Sequence, residues 1–75
     1  MSTKHPLHSI NRIKKAERLA AAVDANPITR GLDLVTLTGM DQAAWDAIND
    51  FAGEDRKPSA ETVAMTIGIL AGRRV

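Results

Sequence analysis

His5 and His8 lie three residues apart, and the carboxylates Asp41, Asp46 and Asp50 follow at intervals of five and four. Through these side chains the chain could hold a metal or move a proton. The histidines flank Pro6 with no third ligand beside them, whereas a bound zinc takes three or four protein ligands, so no metal is expected. Carboxylates act as a catalytic acid and base only in a pocket that separates their pKa values, and an acidic helix face defines none. The absence of cysteine removes thiolate nucleophiles, redox motifs and a disulfide framework. These residues predict no enzyme, no cofactor and no small-molecule substrate: the chain works by binding.

The charges suggest what it binds. The formal net charge of +1 conceals three blocks. Residues 1–30 carry Lys4, Arg12, Lys14, Lys15, Arg18 and Arg30 against Glu17 and Asp24, six against two, a net +4. Residues 31–55 hold Asp33, Asp41, Asp46, Asp50, Glu54 and Asp55 and no lysine or arginine, a net −6. Residues 56–75 return to Arg56, Lys57, Arg73 and Arg74 against Glu61, a net +3. Blocks of opposite sign favour partners of complementary charge.

The elements that position these charges follow from apolar periodicity. Seventy-five residues sit near the lower limit for one self-sufficient core, where packing supplies roughly 3–5 kcal/mol. The expected division is a flexible basic arm over 1–8, a single helical domain over 9–72 and a basic C-terminal tail over 73–75. Ser9 suits an N-cap, and Ile10, Ile13, Ala16, Ala20 and Val23 recur at three and four, which predicts an amphipathic first helix. Asn26-Pro27 stops it, because proline disfavours the helical conformation in the residue before it. The segment Leu32–Thr38 is ambiguous: Leu32 and Leu34 alternate among β-branched residues, while Leu34 and Leu37 suit a short helix. A lone strand would have no partner here, so helix is expected, ending at Gly39. Asp41 caps a further helix whose apolar face is Ala44, Trp45, Ile48, Phe51 and Ala52, ended by Gly53. Trp45 and Phe51, the two aromatic residues, are expected in the core, with Met40 and Met65 filling gaps beside them. Ser59 caps the last helix, where Val63, Ile67, Leu70 and Ala71 form the stripe and Gly72 the end. The fold class is therefore all-α, a small bundle of four to five helices. No apolar run nears the roughly 18 residues that cross a bilayer, and no signal segment precedes residue 10, so a cytoplasmic protein without membrane contact is expected.

From Leu34 to Gly72 the chain resembles the helix-turn-helix region of Cro and phage-repressor-like regulators. The resemblance rests on Leu34-Val35-Thr36-Leu37-Thr38-Gly39-Met40-Asp41-Gln42-Ala43-Ala44-Trp45-Asp46-Ala47-Ile48, with a turn glycine, an apolar residue after it, a capping polar residue and two inward apolar positions three apart. Phe51 to Thr62 resembles the loop and proline-serine helix start that follow the recognition helix in that family. Trp45 is bulkier than the family's usual residue. The resemblance implies a helix-turn-helix-like unit whose second helix, Asp41 to Ala52, would meet the major groove. Its exposed positions would include Gln42, Ala43, Asp46, Asn49 and Asp50, and only Gln42 and Asn49 carry the amide that reads adenine. No cation lies there, and aspartates facing phosphates oppose DNA binding.

The expected function is therefore a small phage- or bacterial-type regulator of transcription that binds a protein of the transcription machinery, with RNA polymerase the natural target. Its acidic face would comprise Asp41, Gln42, Asp46, Asn49 and Asp50. Basic contacts, to phosphate or to an acidic protein, would come from Arg12, Lys14, Lys15, Arg18, Arg56 and Lys57. Two alternatives remain open: a Cro-type repressor binding DNA directly, and an inhibitor of another host protein.

Overall fold

In a computed structural model, residues 5–74 are described, with side chains from Ile10 onward. Four helices occur among the described residues and no strand: α1 His5–Ala25, α2 Leu34–Thr38, α3 Gln42–Phe51 and α4 Ala60–Arg73. The all-α class is thus observed. The expected arm over 1–8 is helical from His5, so α1 starts earlier than a cap at Ser9 would place it; residues 1–4 lie outside the described part. At the other end Arg73 is helical, and Arg74 is no free tail. It donates to the Leu32 carbonyl at 2.6 Å and to the Asp24 carboxylate at 3.1 Å.

Alanine, leucine and long charged side chains lose little freedom in a helix, which explains the length of α1. Asn26 and Pro27 end it, and the turn is built from Asn26: its Oδ1 accepts from Ile28 N at 2.9 Å and its carbonyl from Arg30 N at 2.9 Å. Thr29, buried, donates its hydroxyl to the Val23 carbonyl at 2.9 Å, satisfying an acceptor that the ending helix leaves open.

The ambiguous segment is helical. Asp33 Oδ1 accepts from Thr36 N at 2.8 Å, so the first turn of α2 is capped. Leu37 is fully buried and Leu34 partly, whereas Val35 is 82% exposed. The three-residue leucine spacing thus faces the core, and the β-branched residue between them faces out. Gly39 closes α2 at φ −87°, an ordinary helical value, so the turn to α3 does not require glycine there.

Asp41 caps α3, accepting from Ala44 N at 3.0 Å. Gly53 ends it at φ +78°, where Glu54 N reaches back to the Asn49 carbonyl at 3.2 Å; here the left-handed conformation does favour glycine. Ser59 caps α4 through Thr62 N at 3.2 Å, Glu61 lies in the first turn and Arg73 in the last, signs that suit the helix dipole.

α1 and α4 run parallel: Arg12 meets Glu61, Thr66 meets Ala16, and Asp24 meets Arg73 and Arg74. Small residues at this crossing, Ala16, Ala20 and Thr66, are all fully buried and let the backbones approach. Leu19, Val23, Leu37, Trp45, Ile48 and Leu70 complete the core, each contributing about 1.5–3 kcal/mol or more by leaving water.

The expected stripes need three corrections. Ile10 and Ile13 are 45% and 44% exposed, because they lie on the side of α1 that also carries the exposed Lys14, Glu17 and Ala21. Leu19 and Ala22 are core residues outside the expected stripe. Phe51 is 52% exposed: each three-residue step from Trp45 through Ile48 to Phe51 turns back about 60° around the helix, so the third member leaves the buried side.

Candidate functional site

The rotation that exposes Phe51 also decides the face of α3. Asn49 follows Trp45 by four residues, an advance of about 40°, and stays on the buried side. It is 1% exposed, not a surface residue as the sequence led one to expect. Its Nδ2 donates to the Arg56 carbonyl at 2.9 Å and its Oδ1 has no partner among the described residues. Asn49 therefore holds the loop between α3 and α4 and reaches neither a base nor a partner.

The outward side of α3 is formed instead by Gln42, Ala43, Asp46, Ala47 and Asp50. Gln42 Nε2 donates to Asp46 Oδ1 at 2.9 Å and to the Pro58 carbonyl at 3.0 Å, which fixes both side chains. Lys57 reaches Asp46 at 3.7 Å and offsets its charge. Asp50 is exposed and makes no ion pair with a described residue. Asp41 is occupied as the cap of α3.

The basic residues do not form one patch. Arg12 pairs with Glu61 at 3.6 Å, Arg18 with Glu54 at 3.4 Å, and Lys15 Nζ donates to the Arg56 carbonyl. The oppositely charged blocks of the sequence are thus partly neutralised against one another. Such surface pairs contribute only about 0–1 kcal/mol each, and their carboxylates lower the net positive charge that a phosphate backbone would meet. Lys14 and the Arg56 guanidinium make no ion pair with a described residue.

Beside the acidic side of α3 runs an apolar groove of about 220 Å³, lined mainly by Ile28, Leu32, Met40, Ala44, Ala47 and Ile48. Ile28 is 82% exposed on its rim. The sequence held one signal for it, an isoleucine standing outside any helical stripe in a polar turn. Between α1 and the end of α3, a shallower depression of about 300 Å³ lies among Ala21, Ala25, Phe51 and Ala52, with Arg18 at its edge.

Among the described residues no group of three or more histidine and acidic side chains could hold a metal ion; the side chains of His5 and His8 lie outside that description. No helix there is long and apolar enough to cross a membrane. The arrangement offers hydrogen-bond acceptors, negative charge and an apolar groove on one side of one helix. Neither a protein-family model, nor a curated protein, nor a solved structure matches this chain.

Proposed function

We propose that this chain is a binding module that recognises a basic surface of a partner protein through the outward side of α3, and that the partner belongs to the transcription machinery. The observation that carries the reading is the composition of that side: Ala43, Asp46, Ala47 and Asp50 follow one another along it, no cation belongs to the helix, and the Ile28 groove lies alongside. Complementary charge raises the association rate and fixes orientation, while an apolar anchor in a groove supplies affinity. The Ile28 groove takes such an anchor. Duplex DNA is disfavoured, because its binding draws on cations neutralising phosphates, and Arg12, Arg18 and Lys57 each lie beside a carboxylate that a phosphate backbone would also meet. The choice of transcription as the process rests on the resemblance of Leu34–Gly72 to helix-turn-helix regulators and on the three-residue connection between α2 and α3.

The test is retention of purified bacterial RNA polymerase by the immobilised protein, compared with the double variant Asp46→Lys/Asp50→Lys and with duplex DNA at low and physiological salt. Retention by the wild type and its loss in the double variant are expected. Equal retention by both would exclude the acidic side as the interface. No retention would remove the polymerase as partner, and salt-sensitive capture of DNA would replace this reading with direct DNA binding.

A further inference from the structure

The side of α3 next to its acidic residues is apolar and incompletely covered. At 100° per residue, Ala44, Ala47 and Phe51 share an arc of about 60°, and none of the three is buried. Two hollows open along that arc: the Ile28 groove, against Ala44 and Ala47, and the shallower depression, against Phe51 and Ala52. They follow one another along α3 by one to two turns, about 6–10 Å. Ile28, mostly exposed, rims the first, and Phe51, half-exposed, lines the second. The two long edges of this face differ in charge. Asp50 and Asp46 lie about 60° and 100° beyond Ala47; Lys57 offsets Asp46, and Asp50 makes no ion pair with a described residue. On the opposite edge, the turn that supplies Ile28 and Leu32 carries Arg30, and Arg18 stands at the depression, paired with Glu54.

We infer that this face receives an amphipathic helix of the partner protein, which seats one large apolar side chain in each hollow and carries lysines or arginines along one flank only, against Asp50 and Asp46. Anchors at four- and seven-residue spacing on such a helix project to one side, one to two turns apart, and this is the separation of the hollows. A strand presents only two faces, so residues between its anchors point away from the contact. A helix holds a charged stripe beside its apolar one. The single acidic edge fixes which flank is basic, and Arg18 and Arg30 oppose cations on the other. The anchors supply affinity, and the charges set orientation. This mode of binding rests on the outward side of α3 being the interface, and not on the polymerase as the partner.

The experiment is titration of the nitrogen-15-labelled full chain, followed by amide chemical shifts, with a designed helical peptide bearing leucines at four- and seven-residue spacing and lysines on one flank. Two control peptides accompany it, one of the same composition in scrambled order and one with glutamate for every lysine. Shifts at Ile28, Ala44, Ala47 and Phe51 are expected, saturating below about 1 mM. The glutamate peptide should bind about tenfold more weakly or worse, and Asp50→Lys should exchange that preference. Ile28→Ser and Phe51→Ser, both at exposed positions, should each weaken the lysine peptide severalfold, with circular dichroism verifying that each variant is folded. No saturation, shifts centred on another face such as that of Val35, or equal binding of the scrambled peptide would each overturn the inference. A peptide that fails beside polymerase retention that still depends on Asp46 and Asp50 removes the helix and leaves the acidic interface. A peptide that binds where polymerase is not retained keeps the helix and removes the polymerase.

Discussion

Asn49 Nδ2 donates to the carbonyl of Arg56, 2.9 Å away and seven residues on, and the same carbonyl accepts from Lys15 Nζ of α1. A single backbone oxygen thus joins three parts of the chain: the end of α3, the loop before α4 and the first helix. Removing the buried donor takes one partner from the Arg56 carbonyl, which keeps Lys15, and one from the Glu54 carbonyl, 3.4 Å from the same Nδ2, and such losses cost about 1–3 kcal/mol. Asn49→Ala should therefore lower the urea midpoint by an amount in that range. Asn49→Asp should cost more, because a carboxylate would face two carbonyl oxygens. A side chain that only read a base or touched a partner would leave the midpoint where it is.

Trp45, 2% exposed, packs with Leu19, Leu37 and Ile48 in a core of few large residues. Truncating a buried aromatic costs about 3–5 kcal/mol, which equals the whole stability expected of a chain this small. Trp45→Ala should accordingly be largely unfolded at 25 °C by far-ultraviolet circular dichroism. Because Trp45 is the only tryptophan, the wild type offers a direct check of its burial: blue-shifted emission that moves to the red in step with the loss of helix in urea.

What the sequence made legible was local. Asp41 and Ser59 cap their helices through the third residue on, Gly53 ends α3 in the left-handed conformation, and the doubtful segment became a helix through its own cap at Asp33 and the Leu34–Leu37 spacing. What was not legible depended on how helices meet. Whether Asn49 or Phe51 faces inward turns on a rotation of α3 that apolar spacing leaves undetermined, since Trp45 and Ile48 fit either choice. The exposure of Ile10 and Ile13 follows from which side of α1 meets α4, set by contacts such as Thr66 with Ala16, 50 positions apart. The charge blocks were plain, but their mutual pairing across such separations was not, and it removed most of the cations from the candidate site.

Phe51→Ser separates the two placements of Phe51. A core phenylalanine would cost several kcal/mol on truncation, whereas a half-exposed one at the end of a helix should shift stability by about 1 kcal/mol or less. Thermal unfolding of the variant beside the wild type is the check, and a large loss would return Phe51 to the core.

Arg74 should matter more than a C-terminal position suggests. Its guanidinium joins α4 to the Leu32 carbonyl at 2.6 Å and to Asp24 at 3.1 Å, and hydrogen bonds from a charged donor contribute about 1.5–3 kcal/mol when sheltered. The side chain is a quarter exposed, so solvent reduces this, and Arg74→Ala should cost about 1 kcal/mol. Arg74→Lys should recover only part of it, since one ammonium cannot reproduce the guanidinium fork. The check is the urea midpoint of both variants at low and high salt.

Asp33 gives the fold an acid-sensitive point. Hydrogen bonds from the Thr36 side chain, and then from its backbone N–H, hold the Asp33 carboxyl below its ordinary value of 3.8, with Arg74 adding a smaller contribution in the same direction. A folded-state pKa below the unfolded one means that the ionised form is bound more tightly in the native state. The resulting stability is fully present above the unfolded value and fades as pH falls through the folded one. Wild type and Asp33→Asn, whose amide oxygen still caps α2, should therefore differ by a constant amount from pH 7 down to about 5. That gap should close as pH drops below the ordinary carboxylate value. Thermal unfolding of both proteins across this range gives the measurement. A gap that persisted unchanged to pH 2 would mean that the cap at Asp33 does not depend on its charge.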